Sequence, residues 1–193
     1  AGCVGEDAAH EPDRRNTLRS ALAEAVGLIG FERNGDVVKF ASYAPLLARR
    51  GNTQWIPDMI YFSGTEVFRT PNYYVQQMFG NNGGDRLLPS ALSCEGSLDR
   101  LVCSAVADSS TGDRILKVVN GNTEAVSVEI RVEGALPDEG VEGACVVLSG
   151  PTLDAVNQDG EPEVVCPRQS TVQVKPVFHY VAPAQSLTVL RWK

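Results

Sequence analysis

The sequence predicts a mainly β protein, in which a β-sandwich follows the last strand–helix units of an α/β domain. Residues 3–43 combine compact apolar runs with one stretch of helical spacing, whereas apolar residues recur at every second position after Leu87. The change falls at Asn81-Asn82-Gly83-Gly84, a polar, glycine-rich stretch typical of a linker. We therefore predict two domains, an α/β segment at residues 1–84 and a β-sandwich at residues 85–193.

The first 43 residues predict a strand, a helix and a second strand. A short apolar run ends in Glu6, and Asn16 or Thr17 can cap the helix that follows. The helix should end at Asn34-Gly35, and the compact apolar run at 37–41 then predicts a strand that is buried on both faces, as in a parallel sheet. The apolar stripe of the helix consists of Leu18, Leu22, Ala25, Val26 and Ile29.

Two strands and two helices cannot complete a parallel sheet or bury their own faces. Residues 1–84 therefore need partners that this sequence does not contain, or they pack on the sandwich. Residues 44–71 should be irregular, with one short strand at 59–62. Pro71 is well placed in the first turn of a second helix, whose apolar residues are Tyr74, Val75, Met78 and Phe79.

The second part of the chain shows the alternation of half-buried strands. Residues 126–132 alternate apolar and polar side chains, and the apolar run at 115–119 precedes them through Asn120-Gly121, a strong signal for a hairpin turn. Short strands without a convincing helix between them indicate a sandwich. Further strands fit residues 101–107, 144–148, 171–177 and 186–192.

Composition excludes several classes of function. The net charge of −7 and the scattered basic residues argue against a nucleic-acid surface, and no apolar run is long enough to span a membrane as a helix. The five cysteines and two histidines show no metal-ligand spacing, so neither a metal nor an organic cofactor is implied. Cys94 and Cys103 can face each other across a hairpin and form a disulfide, or they can be buried thiols, so the compartment stays open between cytoplasmic and secreted.

Three residues are candidates for a site. Glu6 ends an apolar strand, and side chains at the carboxyl ends of barrel strands face the active site, although a solvent-exposed or structural glutamate fits the position as well. Tyr43 and Trp55 lie in the loop region after the second strand, where aromatic rings either stack on sugars or pack the loop against the barrel rim. Tyr73 and Tyr74 fit core and rim packing better. The sequence has no glycine-rich phosphate loop, no Gly-x-Ser-x-Gly motif and no recognisable Cys–His pair.

The first 85 residues also carry a set of motifs that is specific as a group. The motifs are Val4-Gly5-Glu6, Asn16-Thr17-Leu18, Leu22-Ala23-Glu24-Ala25, the run from Gly30 to Val38, Phe40-Ala41-Ser42-Tyr43-Ala44-Pro45-Leu46, the run from Gln54 to Phe62, and Thr70-Pro71-Asn72-Tyr73-Tyr74-Val75-Gln76. Together they resemble the α-L-arabinofuranosidases of glycoside hydrolase family 51, densely over residues 2–85 and weakly to the end of the chain.

This resemblance implies a (β/α)8 barrel followed by a jelly-roll-like β-sandwich, with this chain supplying strands seven and eight of the barrel and most of the sandwich. It implies a retaining exo-hydrolase that removes terminal α-L-arabinofuranosyl groups from glycans such as arabinoxylan. Glu6, in Gly5-Glu6-Asp7-Ala8, occupies the position of the family's nucleophile. The acid/base glutamate of the fourth strand would lie upstream of Ala1, so the chain alone is expected to be inactive and to need the N-terminal part of the barrel as its partner.

Two positions depart from the family pattern. Asp7 stands where the family has Tyr, which places a second negative charge beside Glu6, and Ile56 replaces the Asn of a Trp-Asn-Pro-Asp motif. A carboxylate that shared a pocket with Glu6 would raise the pKa of one of the pair and impair a nucleophile that must be ionised.

Two other functions compete with catalysis. The sandwich could be a carbohydrate-binding module, for which its only aromatics are Phe178, Tyr180 and Trp192, or a structural domain that braces the barrel and forms contacts in a homo-oligomer.

Overall fold

The computed structural model describes residues 15–93, 100–134 and 136–193. Within these residues the protein is mainly β, as predicted, with two helices and eleven strands. In chain order the helices are α1 (Leu18–Arg33) and α2 (Pro71–Asn81). The strands are β1 (Leu47–Arg49), β2 (Ile60–Phe62), β3 (Val67–Arg69), β4 (Arg86–Leu88), β5 (Leu101–Asp108), β6 (Asp113–Asn120), β7 (Val126–Arg131), β8 (Val141–Ser149), β9 (Cys166–Val174), β10 (Val177–Ala182) and β11 (Ser186–Trp192).

Both helices form where their terminal residues predict them. The Thr17 hydroxyl caps α1 by accepting a hydrogen bond from the Ser20 backbone N–H at 3.2 Å, and Asn34 ends the helix. The first two backbone N–H groups of α1, on Leu18 and Arg19, have no acceptor within the helix. They donate to carbonyls of the loop at 153–155. Proline in the first turn of α2 has no N–H to leave unpaired there. The sequence prediction of both helices is confirmed.

Residues 44–71 contain more regular structure than expected. The predicted short strand is β2, but it lies between β1, to which it is parallel, and β3, to which it is antiparallel. These three strands form a small sheet that comes immediately before α2.

The β-rich part is built on a six-stranded antiparallel sheet, in the order β4-β5-β6-β11-β8-β9. A second sheet consists of β7 and β10, paired antiparallel with Phe178 opposite Ile130. The single strand predicted over residues 171–177 is divided between β9 and β10, since Pro176 between them has no N–H for a strand ladder.

The predicted hairpin at Asn120-Gly121 is wrong. Strand β6 pairs with β5 and β11, whereas β7 belongs to the other sheet. The reason is the Asn120 side chain, which is fully buried and donates to the carbonyls of Glu124, Ala182 and Pro183 at 2.9–3.1 Å. These bonds turn the chain from one sheet to the other instead of folding it back on itself.

The core lies on both faces of the six-stranded sheet. One face packs against α1 and α2, and the opposite face packs against β7 and β10. Strand β11 shows the division, because Val189 belongs to the helix side and the next residue, Leu190, to the other. Packing of the first part of the chain on the sandwich is thus confirmed, while the predicted domain boundary at residue 84 stays a prediction.

The predicted buried strand at residues 37–41 is wrong within the described structure. These residues form a turn and an extended segment, and the side chains of Val37 and Phe40 are 76% and 86% exposed. A parallel strand exists only when neighbouring strands take its N–H and C=O groups. The described residues supply no such neighbour, so barrel strand eight is not formed there, and the expected strand seven at residues 3–6 lies outside the described residues.

Candidate functional site

A buried polar cluster joins three separate segments beside the small sheet. At its centre is Asn16, which precedes α1 and is only 6% exposed. Its amide nitrogen lies 2.9 Å from the Asp58 carbonyl and 3.2 Å from Thr70 Oγ1, and the Thr70 hydroxyl donates to the Met59 carbonyl at 2.7 Å. The cluster therefore connects the start of α1, the chain at 58–59 and the residue that precedes α2.

Tyr43 enters the same cluster from the segment before β1. Its hydroxyl lies 3.1 Å from Asn16 Nδ2 and 3.2 Å from Asn16 Oδ1, and the side chain is partly buried. Burial raises the pKa of Tyr43, the hydrogen bond with Asn16 opposes this, and the nearby Glu24 carboxylate raises it further. The phenol therefore stays protonated at neutral pH and can donate a hydrogen bond.

Trp55 lies on the loop between β1 and β2, and its side chain is 63% exposed. Thr53 shapes this loop: its hydroxyl donates to the Trp55 carbonyl at 2.9 Å and accepts from the Trp55 N–H at 3.2 Å. It also lies 3.0 Å from a carboxylate oxygen of Asp58, a buried residue whose pKa is raised by burial and lowered by this contact. The indole is thus presented to solvent on a braced loop.

The Glu24 carboxylate lies next to Tyr43, on the side of α1 that faces α2. It accepts hydrogen bonds from the side-chain amides of Asn72 and Gln76, both on α2. Burial raises the pKa of Glu24, and these two amides act in the opposite direction. Glu24 also lines an open pocket of about 250 Å³ together with Tyr43, Leu28, Phe31, Ala41 and Gln76.

The sandwich holds the small sheet in place through its loop at 150–165. Arg50, just after β1, forms an ion pair with Asp159. The buried Asn157 donates to the Arg69 carbonyl at the end of β3 and exchanges two 2.8 Å hydrogen bonds with the backbone of Val165. The loop that carries Trp55 is therefore tied both to α1 and to the sandwich.

Of the predicted site residues, the structure brings Tyr43 and the loop of Trp55 together through Asn16, while Glu6 and its neighbour Asp7 lie outside the described residues. Sequence reasoning missed Asn16 as a site residue, because an Asn before a helix predicts a cap. One feature of the sequence could have indicated this role of Asn16. Thr17 can cap the helix equally well, which leaves the Asn16 amide for other partners.

In the described part of the chain, no group of acidic, histidine or cysteine side chains is arranged to hold a metal ion. No helix there is long and apolar enough to cross a membrane.

The motifs that surround this site match a known family over nearly the whole chain. The family model described as "Alpha-L-arabinofuranosidase C-terminal domain" matches residues 3–186. The chain belongs to this family, the C-terminal domain of the glycoside hydrolase family 51 α-L-arabinofuranosidases.

Curated relatives of this domain come from fungi and plants. The probable α-L-arabinofuranosidase A of Aspergillus niger is 36% identical over 190 residues, which are 97% of this chain and 28% of the relative. The α-L-arabinofuranosidase 2 of Arabidopsis thaliana is 33% identical over 174 residues, 89% of this chain and 25% of the relative. The chain thus spans about a quarter of the length of these relatives.

Solved structures share the fold. An arabinose-bound structure of the α-L-arabinofuranosidase MgGH51 superposes with a TM-score of 0.82 at 34% identity, covering 92% of this chain and 28% of that one. The Thermotoga maritima α-L-arabinofuranosidase, solved with arabinose, has a TM-score of 0.78 at 22% identity, covering 91% and 38%, and supports the fold alone.

The aromatic side chains of the sandwich give little support to a carbohydrate-binding function. Phe178 and Trp192 are each only 7% exposed and pack inside the core between the two sheets. The Tyr180 hydroxyl faces inward, 3.1 Å from Thr188 Oγ1 and 3.7 Å from Cys145 Sγ. Phe178 and Trp192 are thus not presented at the surface, and Tyr180 is only partly exposed. Cys103 is buried on β5, and both alternatives for Cys94 and Cys103, a disulfide or buried thiols, stay open because Cys94 lies outside the described residues.

Proposed function

We propose that this chain is the C-terminal portion of a retaining exo-acting α-L-arabinofuranosidase that releases terminal arabinofuranosyl residues from arabinose-containing glycans. The observation that carries the proposal is the family match over residues 3–186, which runs through the Gly5-Glu6 motif and the loop of Trp55. In the intact protein these residues would close a (β/α)8 barrel and continue into a jelly-roll-like sandwich.

In this proposal Glu6 is the nucleophile. Its carboxylate attacks the anomeric carbon and displaces the aglycone, which leaves with a proton from a second carboxylic acid about 5 Å away. Water then attacks the glycosyl-enzyme, and the second carboxylate takes the proton from that water. The second carboxyl group would come from the N-terminal part of the barrel, so the 193-residue chain alone is expected to be inactive.

Tyr43 and Trp55 are the proposed sugar contacts. The Trp55 indole is presented to solvent, as a ring that stacks on a sugar face must be. The Tyr43 phenol lines the open pocket beside Glu24, and burial raises its pKa.

The partner implied for the exposed segment is the rest of the barrel. Val37 and Phe40 lie largely in solvent although their sequence pattern is that of a strand buried on both faces. Flanking barrel strands would supply both the hydrogen bonds and the apolar cover that this segment lacks within the described residues.

Hydrolysis of a p-nitrophenyl α-L-arabinofuranoside tests the proposal. The full-length protein should be active and the isolated chain should show no turnover.

In the full-length protein Glu6→Ala should abolish activity. Azide should restore turnover, because azide takes the place of the missing carboxylate, and the product should be an arabinofuranosyl azide of inverted anomeric configuration. Glu66→Ala, an exposed glutamate between β2 and β3, is the matched control and should retain activity. Wild-type turnover by Glu6→Ala would remove Glu6 from this role.

A further inference from the structure

At the start of α1, the two adjacent residues Asn16 and Thr17 have different roles. Both can cap a helix, and Thr17 does so through the Ser20 N–H. The Asn16 side chain is therefore not needed for the helix. It is nevertheless buried, and a buried amide is costly unless its donors and acceptor are satisfied.

Two of the three partners of the Asn16 side chain belong to the segments that carry the proposed sugar contacts, and the third partner binds one of these segments. One is the Tyr43 hydroxyl itself, and another is the carbonyl of Asp58 at the end of the loop of Trp55. The third is the hydroxyl of Thr70, which also binds the Met59 carbonyl and so holds the same end of the loop a second time. Without the Asn16 amide, Tyr43 loses the hydrogen bond that sets its hydroxyl direction, and the loop loses one of its attachments at residues 58–59.

We propose that Asn16 is a positioning residue of the sugar site, which holds Tyr43 and the loop of Trp55 in the arrangement that accepts the arabinofuranosyl ring. This inference rests on the proposed function, since it assigns a role in the same site. Asn16 itself acts through Tyr43 and the loop rather than on the sugar. Because Tyr43 and Trp55 would contact the ring in the ground state and in the transition state alike, their displacement weakens binding in both.

The first test is a split between KM and kcat in the full-length enzyme. Asn16→Ala should raise KM for the aryl arabinofuranoside by about tenfold and change kcat by less than about threefold. Tyr43→Phe should raise KM as well, and the double variant should be no worse than about the poorer single variant, because the two changes remove the same bond.

The matched control is Asn120→Ala. Asn120 is also a buried asparagine whose amide binds three partners, but it lies at the corner between the two sheets of the sandwich. Its loss should lower stability and leave KM within about twofold of the wild type. Equal KM values for Asn16→Ala and Asn120→Ala would overturn the inference and reduce Asn16 to a general packing role.

A second test changes Thr70 and leaves Asn16 in place. Thr70→Val removes the hydroxyl with little change of shape and should raise KM, whereas Thr70→Ser keeps the hydroxyl and should restore a value near that of the wild type. If Asn16→Ala does not fold, this pair still decides, since equal KM values for Thr70→Val and Thr70→Ser overturn the inference.

Amide hydrogen exchange in the full-length protein tests the positioning step without any substrate. Exchange across residues 53–62 should accelerate in Asn16→Ala and stay at the wild-type rate in Asn120→Ala. Unchanged exchange in Asn16→Ala overturns the inference even when the enzyme is active. A full-length wild type without arabinofuranosidase activity overturns the proposed function instead, and the exchange result then decides on Asn16 alone.

Discussion

At the scale of single residues, the most unusual side chain is Lys117, a lysine of the six-stranded sheet that is completely buried. Its ammonium lies 2.6 Å from Glu32 on α1, and it also lies 5.3 Å from the centre of the Phe79 ring on α2. Ser104 donates to the second oxygen of the same carboxylate. Burial lowers the pKa of Lys117 and the Glu32 carboxylate opposes this. Lys117 thus joins the sheet to α1 through the ion pair and to α2 through the Phe79 ring.

Lys117→Met should destabilise the full-length protein by up to about 3 kcal/mol, because it leaves the Glu32 carboxylate without its counter-charge at a mostly buried position. The double variant Lys117→Met with Glu32→Leu should recover most of this loss, since an apolar pair has no desolvation cost. Urea-induced unfolding measures both. Lys39→Met, which removes an exposed lysine, is the control. A double variant no better than the single one would contradict the argument.

At the scale of elements, Arg191 connects the end of α2 to the sheet. Its guanidinium donates to a single oxygen of Asp113, across the β6–β11 pair, at 2.6 and 2.8 Å and to the Asn81 carbonyl in the last turn of α2 at 3.2 Å. A cation at this end of a helix also complements the helix dipole. The hydrogen bond from Arg191 is the main cause that lowers the pKa of Asp113.

This ion pair predicts a dependence of stability on pH. A carboxyl group with a lowered pKa in the folded state binds fewer protons than in the unfolded state, so its contribution is fully present above about pH 4, the unfolded value, and is lost as the pH falls through the folded value. The wild type should therefore be more stable than Asp113→Asn at pH 6, and the difference should shrink steadily below pH 4. Urea midpoints across this range measure it, with the exposed Asp36→Asn as control. A difference that is independent of pH would contradict the assignment.

Asn120 makes the next prediction at this scale, because one side chain fixes the route between the two sheets. Asn120→Ala leaves the carbonyls of Ala182 and Pro183 without its amide, and the free energy of unfolding should fall by about 2 kcal/mol. Asn122→Ala removes a side-chain amide that donates to Asn120 Oδ1, and it should cost less because the backbone N–H of residue 122 still donates to the same oxygen. Equal losses in urea unfolding would show that the corner does not depend on Asn120.

The sequence predicted those elements whose signals are local. Thr17, Asn34 and Pro71 mark helix ends, and the alternation over residues 126–132 marks a strand, because caps and periodicity act within a few residues. It failed where distant partners decide. Asn120-Gly121 fits a tight turn locally, but the carbonyls that Asn120 binds come from residues 182 and 183. Asn16 was hidden as a site residue for the same reason, since Tyr43, Asp58 and Thr70 are all distant in sequence.

At the scale of the whole molecule, the six-stranded sheet is the common support of two different layers. Its helix side buries Val119, Leu187 and Val189 against α1 and α2, and the opposite side is covered by β7 and β10. Hydrogen bonds from the first turn of α1 to the loop at 153–155 add a direct connection between the two parts of the chain. The first part of the chain and the sandwich therefore share one core.

Four apolar side chains between residues 37 and 47 are an exception to this packing, and they make the last prediction. Phe40 is 86% exposed, and Val37, Leu46 and Leu47 are each more than half exposed. If the rest of the barrel covers this segment, Phe40→Ser should destabilise the full-length protein by about 1.5–3 kcal/mol, the contribution of one buried aromatic side chain. In the isolated chain the same change should cause no such loss and should reduce self-association through the exposed apolar surface.

Urea unfolding of the full-length protein and sedimentation velocity of the isolated chain measure the two halves of this prediction. Val67→Ser, at a 58% exposed valine of β3, is the control and should leave the full-length protein nearly unchanged. A segment that is solvent-exposed in the intact protein would give the same small effect of Phe40→Ser in both forms. The difference between the full-length protein and the isolated chain is therefore the decisive quantity. Equal effects of Phe40→Ser in the two forms would therefore rule out the rest of the barrel as the cover of this segment.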